Sequence, residues 1–565
     1  MVGSWYPTGR TDIIPGMSAQ RSIVTSAKLI AVCTLLSRIT GLVREMLLAQ
    51  AFGIQWIQDA FCYAFQIPNL FRRLLGEGAM AAVFVPTFTR TLEQEGPAQA
   101  WRLLARTLAL LCVALVVVVV TLELVVLAIW LLMPAEGAAG AGRQLILALT
   151  ALMLPFMLTI CVVALLSAIL NCVGSFVPAA LAPVLLNIAM IAAVGGIGPA
   201  LYPGDPGTQV YVVAVAVVAA GVLQVLFLVP VLRANGVQLG WRFEPRDPAV
   251  KRMLRLLVPV ALGQGVLAFG VFLDAQICVL LTHERGGVMT AGFLGWTYVR
   301  PLEEGALATI TYAQRLYQFP LGVLVISLAT AAMPAFSRLA ARQEWPGWAA
   351  EVRQSLRLAV FEGILTGTMM IALGGPIVRL LFEYRQFTPE ATDRVSFVLI
   401  FYGLAMWAYC AQHILLRGFY SLGDVRTPLW ISVAVLPLNV ALTLALIWFD
   451  SIREAAFAIS SVVTSGLAVV VGAVVLQRRV HTRLLDSAMA SALARMLLAA
   501  GAGGGAAWLA APLVQGLLAG RITARAFEAL GPLAVGTAAF LIVAWLLRLP
   551  EVGLLVAQRR PRNAR

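Results

Sequence analysis

The sequence predicts an all-α polytopic membrane protein with about fourteen transmembrane helices, and two observations carry this prediction. Of the 565 residues, 61% are hydrophobic and only 12% are charged. Long apolar runs recur along the whole chain, and a helix needs about 20 apolar residues to cross the hydrocarbon core of a bilayer. Because lipid satisfies no backbone hydrogen bonds, a spanning segment is either a helix or a strand of a closed barrel, and these runs are too long for barrel strands.

Hydropathy and helix-breaking residues divide the chain into two six-helix lobes and a terminal pair of helices. The first six spans form an N-lobe over residues 26–235, the next six form a C-lobe over 248–480, and the last two lie within 487–548. Residues 1–25 form a polar tail without the apolar stretch of a cleaved signal peptide, and residues 549–565 form a basic tail. The predicted spans are 26–51, 57–90, 103–133, 144–171, 177–200, 209–232, 252–282, 307–340, 355–382, 395–421, 428–449, 453–477, 488–512 and 526–548.

Basic residues concentrate in alternate connections, which predicts the orientation of the chain. Connections on the side of the N-terminus carry groups such as Arg242, Arg246 and Lys251, whereas the connections 51–57 and 198–209 contain no Lys or Arg. The positive-inside rule therefore places both termini in the cytoplasm. We interpret the net charge of +14 as membrane topology and not as a nucleic-acid-binding surface.

Two parts of the chain resemble each other at an offset of about 250 residues. Pro86–Arg90 matches Pro334–Arg338, and Leu186–Ala189 matches Leu438–Ala441 in the same order. Six spans per repeat in parallel orientation predict two lobes with a substrate site between them, as in transporters that work by alternating access.

Ionisable side chains inside the first, second and eighth spans are the main functional candidates, because each is costly in lipid. An arginine guanidinium stays charged and forms bidentate contacts with phosphate, so several converging arginines predict a cationic cavity for a pyrophosphate. The alternatives are that some arginines extend to the interface, or pair locally, as Arg73 can with Glu77 four residues later. The candidates are Arg38, Arg44, Glu45, Asp59, Arg72, Arg73, Glu77 and Arg315, with Ser37 and Asn69 as supporting polar groups.

Other residues within the spans are candidates for binding a coupling ion and for bending the helices. Glu123, Asp274 and Glu362 are isolated carboxyl groups that either bind a coupling ion or proton or serve in packing, with Asp274 the strongest of the three. Pro68 and Pro320 interrupt helical hydrogen bonding and are candidate hinges.

Cysteine and histidine residues indicate neither disulfides nor a metal site. The seven cysteines lie in or beside apolar segments without a CxxC pair, and the three histidines have no zinc-type partner nearby in the sequence.

Several segments, taken together, are specific for one family. Near the N-terminus the chain contains SRITGLVRE followed by DAFCYAFQIPNLFRRLLGEGAMAAVFVPTF, and later it contains YAQRLYQFPLGVL, FEYRQFTPEAT and LLRGFYSLGDVRTP. In this order, over about residues 25–480, they resemble the MurJ (MviN) family of lipid II flippases. The connection 283–306 is longer than is usual in that family.

The resemblance implies the V-shaped fold of the MOP exporter superfamily, with a cationic central cavity and a lipid-facing groove formed by the last two helices. Matched by motif, the cavity residues are Arg38, Arg44, Asp59, Arg72 and Arg73, and Arg315 is the arginine of the second lobe. Glu45 stands where the family often has Asp, so the charge is kept on a side chain that is one methylene longer.

The function that the resemblance implies is the translocation of lipid II across the bacterial inner membrane for peptidoglycan synthesis and cell shape. The expected partners are lipid II, membrane lipids and other cell-wall synthesis proteins, and the expected working unit is a monomer without a cofactor. Transport would be coupled to the membrane potential, Na⁺ or H⁺. The alternatives are an exporter of another polyprenyl-pyrophosphate glycan or of a small molecule, and a membrane-embedded glycan polymerase. The loops contain no recognisable catalytic arrangement, so we predict that the chain is not an enzyme.

Overall fold

Helices account for nearly all of the structure, a computed structural model that describes residues 15–74, 83–132, 137–248, 251, 255, 269–283, 290–293, 296–484, 486–515 and 522–557. Eleven helices within these ranges are long and apolar enough to cross a membrane. Three more helical segments, Pro15–Phe52, Trp56–Phe71 and Phe269–Leu280, lie where the remaining spans are predicted. The all-α membrane architecture is confirmed, and the count of fourteen spans stays a prediction.

The helices of the N-lobe are interrupted where the sequence contains glycine or proline. Gly53, with a φ of 60°, ends the first helix, and Gly174, with a φ of 80°, precedes the seventh. Pro155 separates two helices within the fourth predicted span, and a π-helical turn, Ala193–Ile197, follows the seventh. The helices are α1 (Pro15–Phe52), α2 (Trp56–Phe71), α3 (Val85–Gln94), α4 (Pro97–Leu132), α5 (Gly137–Met153), α6 (Phe156–Cys172), α7 (Phe176–Ala192), α8 (Gly198–Leu201) and α9 (Pro206–Ala234).

The C-lobe also contains a π-helical turn, Leu321–Val325, directly after Pro320. The first part of the seventh predicted span, 256–268, lies outside the described residues. Buried aromatic residues such as Tyr312, Trp348 and Tyr402 fill the core of this lobe. Its helices are α10 (Phe269–Leu280), α11 (Ala306–Pro320), α12 (Ile326–Ala341), α13 (Trp345–Phe382), α14 (Pro389–Ser421), α15 (Arg426–Leu446) and α16 (Ala455–Val480).

The long connection between α10 and α11 contains four short strands, which the all-helical prediction omitted. β1 (Thr282–His283) pairs in parallel with β4 (Leu302–Glu303), and β2 (Thr290–Phe293) pairs antiparallel with β3 (Trp296–Val299). Threonine, valine and aromatic residues in these segments favour extended structure. The segment leaves the apolar helices here, so it is not bound by the requirement for internally bonded helices in lipid.

The last membrane helices, α17 (Ser487–Gln515) and α18 (Ile522–Leu546), pack closely on each other and on α13. A Cβ atom on Gly503 would lie 2.7 Å from Cβ of Phe540, and one on Gly536 would lie 2.6 Å from Cβ of Ala507. Arg357 Nε also lies 2.6 Å from Oε1 of Glu551 in the following helix α19 (Pro550–Ala557). The pair is therefore held against the C-lobe.

We expect Gly503→Val to destabilise the protein, because overpacking a close helix contact costs about 1–3 kcal/mol. Gly505→Val is the matched control, since no atom lies within 4 Å of a Cβ at position 505. Thermal unfolding of the purified protein measures the effect: the Tm of Gly503→Val should fall by several degrees while Gly505→Val stays near the parent. Equal Tm values for the two variants would contradict the close packing.

Asp424, in the turn before α15, holds the start of that helix. Its carboxylate accepts hydrogen bonds from the backbone N–H of Arg426 and Thr427, at 3.1 and 3.0 Å, and forms an ion pair with Arg479. Burial acts to raise the pKa of Asp424, but the Thr427 hydrogen bonds and the Arg479 charge outweigh it, so the pKa lies below its ordinary value.

We expect Asp424→Ala to lower the free energy of unfolding by about 1 kcal/mol at neutral pH, the usual cost of losing such a cap. A depressed pKa means that the stabilisation is present above the unfolded-state pKa of about 3.9 and is lost as the pH falls through the lower folded-state value. The parent and Asp424→Ala should be denatured at a series of pH values. Their difference in the free energy of unfolding should be constant around neutral pH and should narrow only in acid. A difference that narrows between pH 8 and pH 6 would contradict this account.

Candidate substrate cavity

Three adjoining cavities lie between and within the lobes, and shared residues connect them. The arginine cavity, of about 530 Å³, is lined by N-lobe residues such as Arg72 and by Arg315 of the C-lobe. The bridge cavity, of about 80 Å³, shares Arg44 and Arg315 with it. The tyrosine cavity, of about 340 Å³, lies in the C-lobe and shares Gln314 with the bridge cavity. The three cavities therefore adjoin in a row, with arginines at one end and tyrosines at the other.

A buried ion cluster joins the two lobes at the bridge cavity. Glu45 pairs with the adjacent Arg44 on α1, and its Oε1 also lies 3.2 Å from Nε of Arg315 on α11. Arg44 and Glu45 are buried, whereas 35% of the Arg315 side chain is exposed. One carboxylate thus holds an arginine from each lobe, and the cluster keeps a net positive charge facing the cavity.

Asn187 on α7 orients this cluster and was not among the site residues predicted from the sequence. Its Oδ1 accepts a hydrogen bond of 2.9 Å from Nη1 of Arg44, while its Nδ2 donates to the backbone oxygen of Ser37 and to Oγ1 of Thr40, both at 3.1 Å. The repeated tetrapeptide contained the signal, because Asn439 is the matching residue of the C-lobe. Asn439 lines the tyrosine cavity in the same way that Asn187 lines the arginine cavity.

The second span supplies the remaining predicted arginines. Arg72 and Arg73 follow α2 in π-helical conformation, and both line the arginine cavity together with Ser37 and Asn69. Nε of Arg72 donates to Oδ1 of Asn69 at 3.2 Å, so Asn69 sets the position of that guanidinium. Arg73 lines the bridge cavity as well. The alternative partner, Glu77, lies outside the described residues.

Arg38 makes a different contact from the one predicted for a cavity residue. Its guanidinium lies against Gly322 in the π-helical turn of the C-lobe, in the space that a side chain at position 322 would occupy. Arg38 is not among the residues that line the three cavities. It therefore contributes a further contact between α1 and the C-lobe, next to the candidate hinge Pro320.

Asp59, which was matched by motif to the cavity residues, accepts hydrogen bonds from backbone N–H groups of the C-lobe. Its Oδ2 and Oδ1 accept hydrogen bonds of 2.7 Å from the backbone N–H of Gly305 and of Ala308, at the start of α11. The carboxylate is almost fully buried. Gly305, with a φ of 82°, packs so closely on the backbone of Ile54 that no side chain fits there. An N-lobe carboxylate thus caps a C-lobe helix and joins the two lobes at the start of α2 and of α11.

The candidate coupling residues occupy three different environments. Asp274 lines the tyrosine cavity, and its buried Oδ1 has no hydrogen-bond partner among the described residues. Glu362 is buried in α13 and is absent from the linings of the three cavities. Glu123 lies in a separate groove between α4 and α5. Only Asp274 is placed where it can act on the contents of the cavity.

The tyrosine cavity is lined by aliphatic, aromatic and neutral polar groups, together with Asp274. The rings of Tyr317 and Tyr409 stack with centroids 5.1 Å apart, and Tyr402 lies 4.9 Å from Tyr317. Nε2 of Gln314 donates to the Tyr402 hydroxyl at 3.1 Å. Such a surface suits the apolar faces and hydroxyl groups of a large polar ligand.

Comparisons with known proteins agree with this geometry. The sequence matches the family described as "Lipid II flippase MurJ" over residues 48–527. It is 30% identical to a "Probable lipid II flippase MurJ" of Rhizobium meliloti, across 93% of this chain and 94% of that protein. It is 33% identical to the "Lipid II flippase MurJ" of Burkholderia cenocepacia, across 71% of this chain and 74% of that protein.

Two solved structures share the fold. The first is "Lipid II flippase MurJ, inward closed conformation", with a TM-score of 0.70, 19% identity and coverage of 92% of this chain and 99% of that one. The second is an inward-facing MATE family transporter of the MOP superfamily, with a TM-score of 0.64, 15% identity and coverage of 80% and 98%. With a family match over most of its length and an arginine cavity between two lobes, the chain belongs to the MurJ family of lipid II flippases.

Proposed function

We propose that this chain moves lipid II from the cytoplasmic to the periplasmic leaflet of the bacterial inner membrane by alternating access. The observation that carries the proposal is the ion cluster in which Glu45 holds Arg44 of one lobe and Arg315 of the other beside the arginine cavity. The pyrophosphate of the substrate would bind these arginines together with Arg72 and Arg73, since guanidinium groups match phosphate oxygens in geometry and charge.

Binding would change the balance of charges at the bridge cavity. A pyrophosphate offers more negative charge to the two arginines than the single Glu45 carboxylate does, so it competes for Arg315 and loosens the contact between the lobes. The lobes are held at the other end by Asp59 on Gly305 and Ala308. Both termini are proposed to be cytoplasmic, and this Asp59 contact then lies on the periplasmic side, where it must break to release the substrate.

The rest of lipid II would occupy the neighbouring spaces. The sugar and peptide groups would extend into the tyrosine cavity, which shares Gln314 with the bridge cavity. The polyprenyl chain would stay in lipid beside α17 and α18. Asp274 is the proposed site for a coupling Na⁺ or H⁺, and the membrane potential is the alternative driving force, because each charge moved across 100 mV is worth about 2.3 kcal/mol. The chain would act as a monomer and without catalysis.

The measurement is lipid II exposure at the outer face of cells that depend on this protein. We expect Arg72→Ala and Arg315→Ala each to reduce this exposure by about ten-fold or more, since each removes a charge-assisted contact. Arg38→Ala should act through the lobe contact and reduce exposure less. Arg342→Ala is the matched control, because 70% of that arginine side chain is exposed and its nearest carboxylate lies 3.8 Å away.

Membrane amounts of all variants must be equal for this comparison. If the cavity arginines prove dispensable while the protein still supports exposure, the binding site is wrong. If the parent protein does not support exposure, the substrate is wrong and an exporter of another glycan or of a small molecule becomes the leading candidate.

A further inference from the structure

A groove on the outer face of the N-lobe holds a carboxylate that the transport cavity does not use. The groove has a volume of about 410 Å³ and lies between α4 and α5. We call it the glutamate groove. Its lining residues are Val120, Glu123, Leu124, Val126, Leu127, Trp130 and Ala151.

Glu123 is the only charged residue between Leu108 and Leu132, the most apolar stretch of α4. It is half-buried, and no described residue pairs with its carboxyl group. Its neighbours one turn away on either side, Val120 and Leu127, are each 51% exposed. An ionisable group at this depth without an internal partner is costly and marks a site of interaction.

The depth of Glu123 decides which kind of partner can reach it. With a rise of 1.5 Å per residue, Glu123 lies about 13 Å from the end of α4 at Leu132 and about 22 Å from Leu108. A lipid ammonium headgroup stays at the interface and cannot reach this depth without deforming the bilayer. A lysine or arginine on a transmembrane helix can be placed there.

The shape of the groove suits a helix. Val120, Leu124 and Leu127 are exposed at helical spacing on the same face as Glu123, and the small Ala151 of α5 lies across from them. Small residues let helices approach closely in lipid, and polar contacts between helices then fix the partner. A second copy of α4 would not fit, because its stretch 107–132 carries no basic residue to meet the carboxylate.

We propose that the glutamate groove docks a transmembrane helix of another membrane protein, and that a lysine or arginine on this helix pairs with Glu123. The pairing requires the basic residue to lie at the same depth in the bilayer as Glu123. The site is independent of the transport cavity, so it can bring the transporter next to a partner without obstructing the substrate.

Photo-crosslinking in the native cells tests the proposal. A photoreactive amino acid at Leu127 should form one discrete adduct with a second protein, and the crosslinked peptide should map to a transmembrane helix that contains Lys or Arg. The same amino acid at Leu226 of α9, which is 62% exposed and does not line the glutamate groove, is the control and should not form that adduct. Glu123→Gln should reduce the Leu127 adduct at least five-fold, and Glu123→Asp should retain it, with membrane amounts and lipid II exposure unchanged.

Each other outcome overturns the proposal. An adduct of equal yield in Glu123→Gln, or one with a helix that lacks Lys and Arg, removes the role of the charge. An adduct between two copies of this chain shows self-association instead, and labelling of lipid alone shows that the groove faces only the bilayer.

Discussion

Glu45→Gln is expected to reduce lipid II exposure by about two orders of magnitude, because it leaves two arginines of opposite lobes facing each other without a carboxylate. Breaking a buried ion pair by removing one partner costs about 3–5 kcal/mol, and the smaller value already corresponds to a factor above one hundred. Arg44 is buried and stays fixed by Asn187, so the unpaired charge cannot turn away into solvent.

Two variants separate this effect from a general loss of charge. Glu45→Asp keeps the carboxylate on a side chain that is one methylene shorter, and we expect it to retain a large part of the activity. Glu344→Gln is the matched control, because 52% of that glutamate side chain is exposed and its arginine lies 3.8 Å away. Ion pairs on the protein surface contribute about 0–1 kcal/mol. The amount of lipid II at the outer face of the cells should therefore stay near the parent value.

The measurements are lipid II exposure in cells and the Tm of the purified proteins. If Glu45→Gln loses exposure but keeps its Tm, the cluster acts in transport. A fall in Tm together with exposure would show that the cluster also holds the lobes together. Parent-like exposure in Glu45→Gln would rule out the bridging role of the cluster.

The sequence predicted the lobes and the arginine cavity because both depend on signals with strong energetic causes. Apolar length is imposed by the bilayer, and arginine inside a span is too costly to occur without a function. The positions of Arg44, Arg72, Arg73 and Arg315 around one space follow from that reasoning. The prediction assigned these residues to a cavity, and the structure places them in its lining.

Contacts made through the backbone could not be predicted in the same way. Asp59 was matched by motif to the cavity residues, yet its hydrogen-bond partners are backbone N–H groups about 250 residues away. Every residue except proline has such a donor, so the sequence does not mark them. The contact of Arg38 with Gly322 was equally hard to predict, because the guanidinium occupies space that is free only since Gly322 has no side chain.

Isolated polar residues within the spans have environments that the sequence does not distinguish. Glu123 and Asp274 look alike in the sequence, as single carboxyl groups within apolar runs. Their difference is the helix face on which each lies, and this is set by packing of the whole lobe. Asp274 faces the tyrosine cavity, whereas Glu123 faces a groove at the protein surface.

The second large effect is expected for Asp59→Asn. This change should weaken the contact between Asp59 and α11, which we propose closes the periplasmic end of the cavity. The carboxylate accepts two hydrogen bonds at the start of α11, and bonds to a charged group contribute about 1.5–3 kcal/mol each. An asparagine side chain offers one oxygen as acceptor and turns an NH₂ group towards the second N–H. The closed arrangement should therefore lose at least one of these bonds.

Cys62 reports on this change because it lines the bridge cavity just inside the Asp59 contact. In a protein that retains Cys62 as its only cysteine, a membrane-impermeant thiol reagent added from the periplasmic side should label Cys62 about ten-fold faster after Asp59→Asn, in line with the loss of about 1.4 kcal/mol. Asp205→Asn is the matched control, since Asp205 caps α9 through a 3.1 Å bond to the Thr208 N–H within a single lobe. It should leave the labelling rate unchanged.

Gly305→Ala provides an independent test of the same closure. A methyl group at position 305 meets the backbone of Ile54, and alanine is strained at a φ of 82°. Faster labelling in both Asp59→Asn and Gly305→Ala, with the control unchanged, would assign closure to this contact between the lobes. If labelling stays slow in both variants, other contacts keep this end shut, and the proposal that release requires Asp59 to leave α11 is wrong.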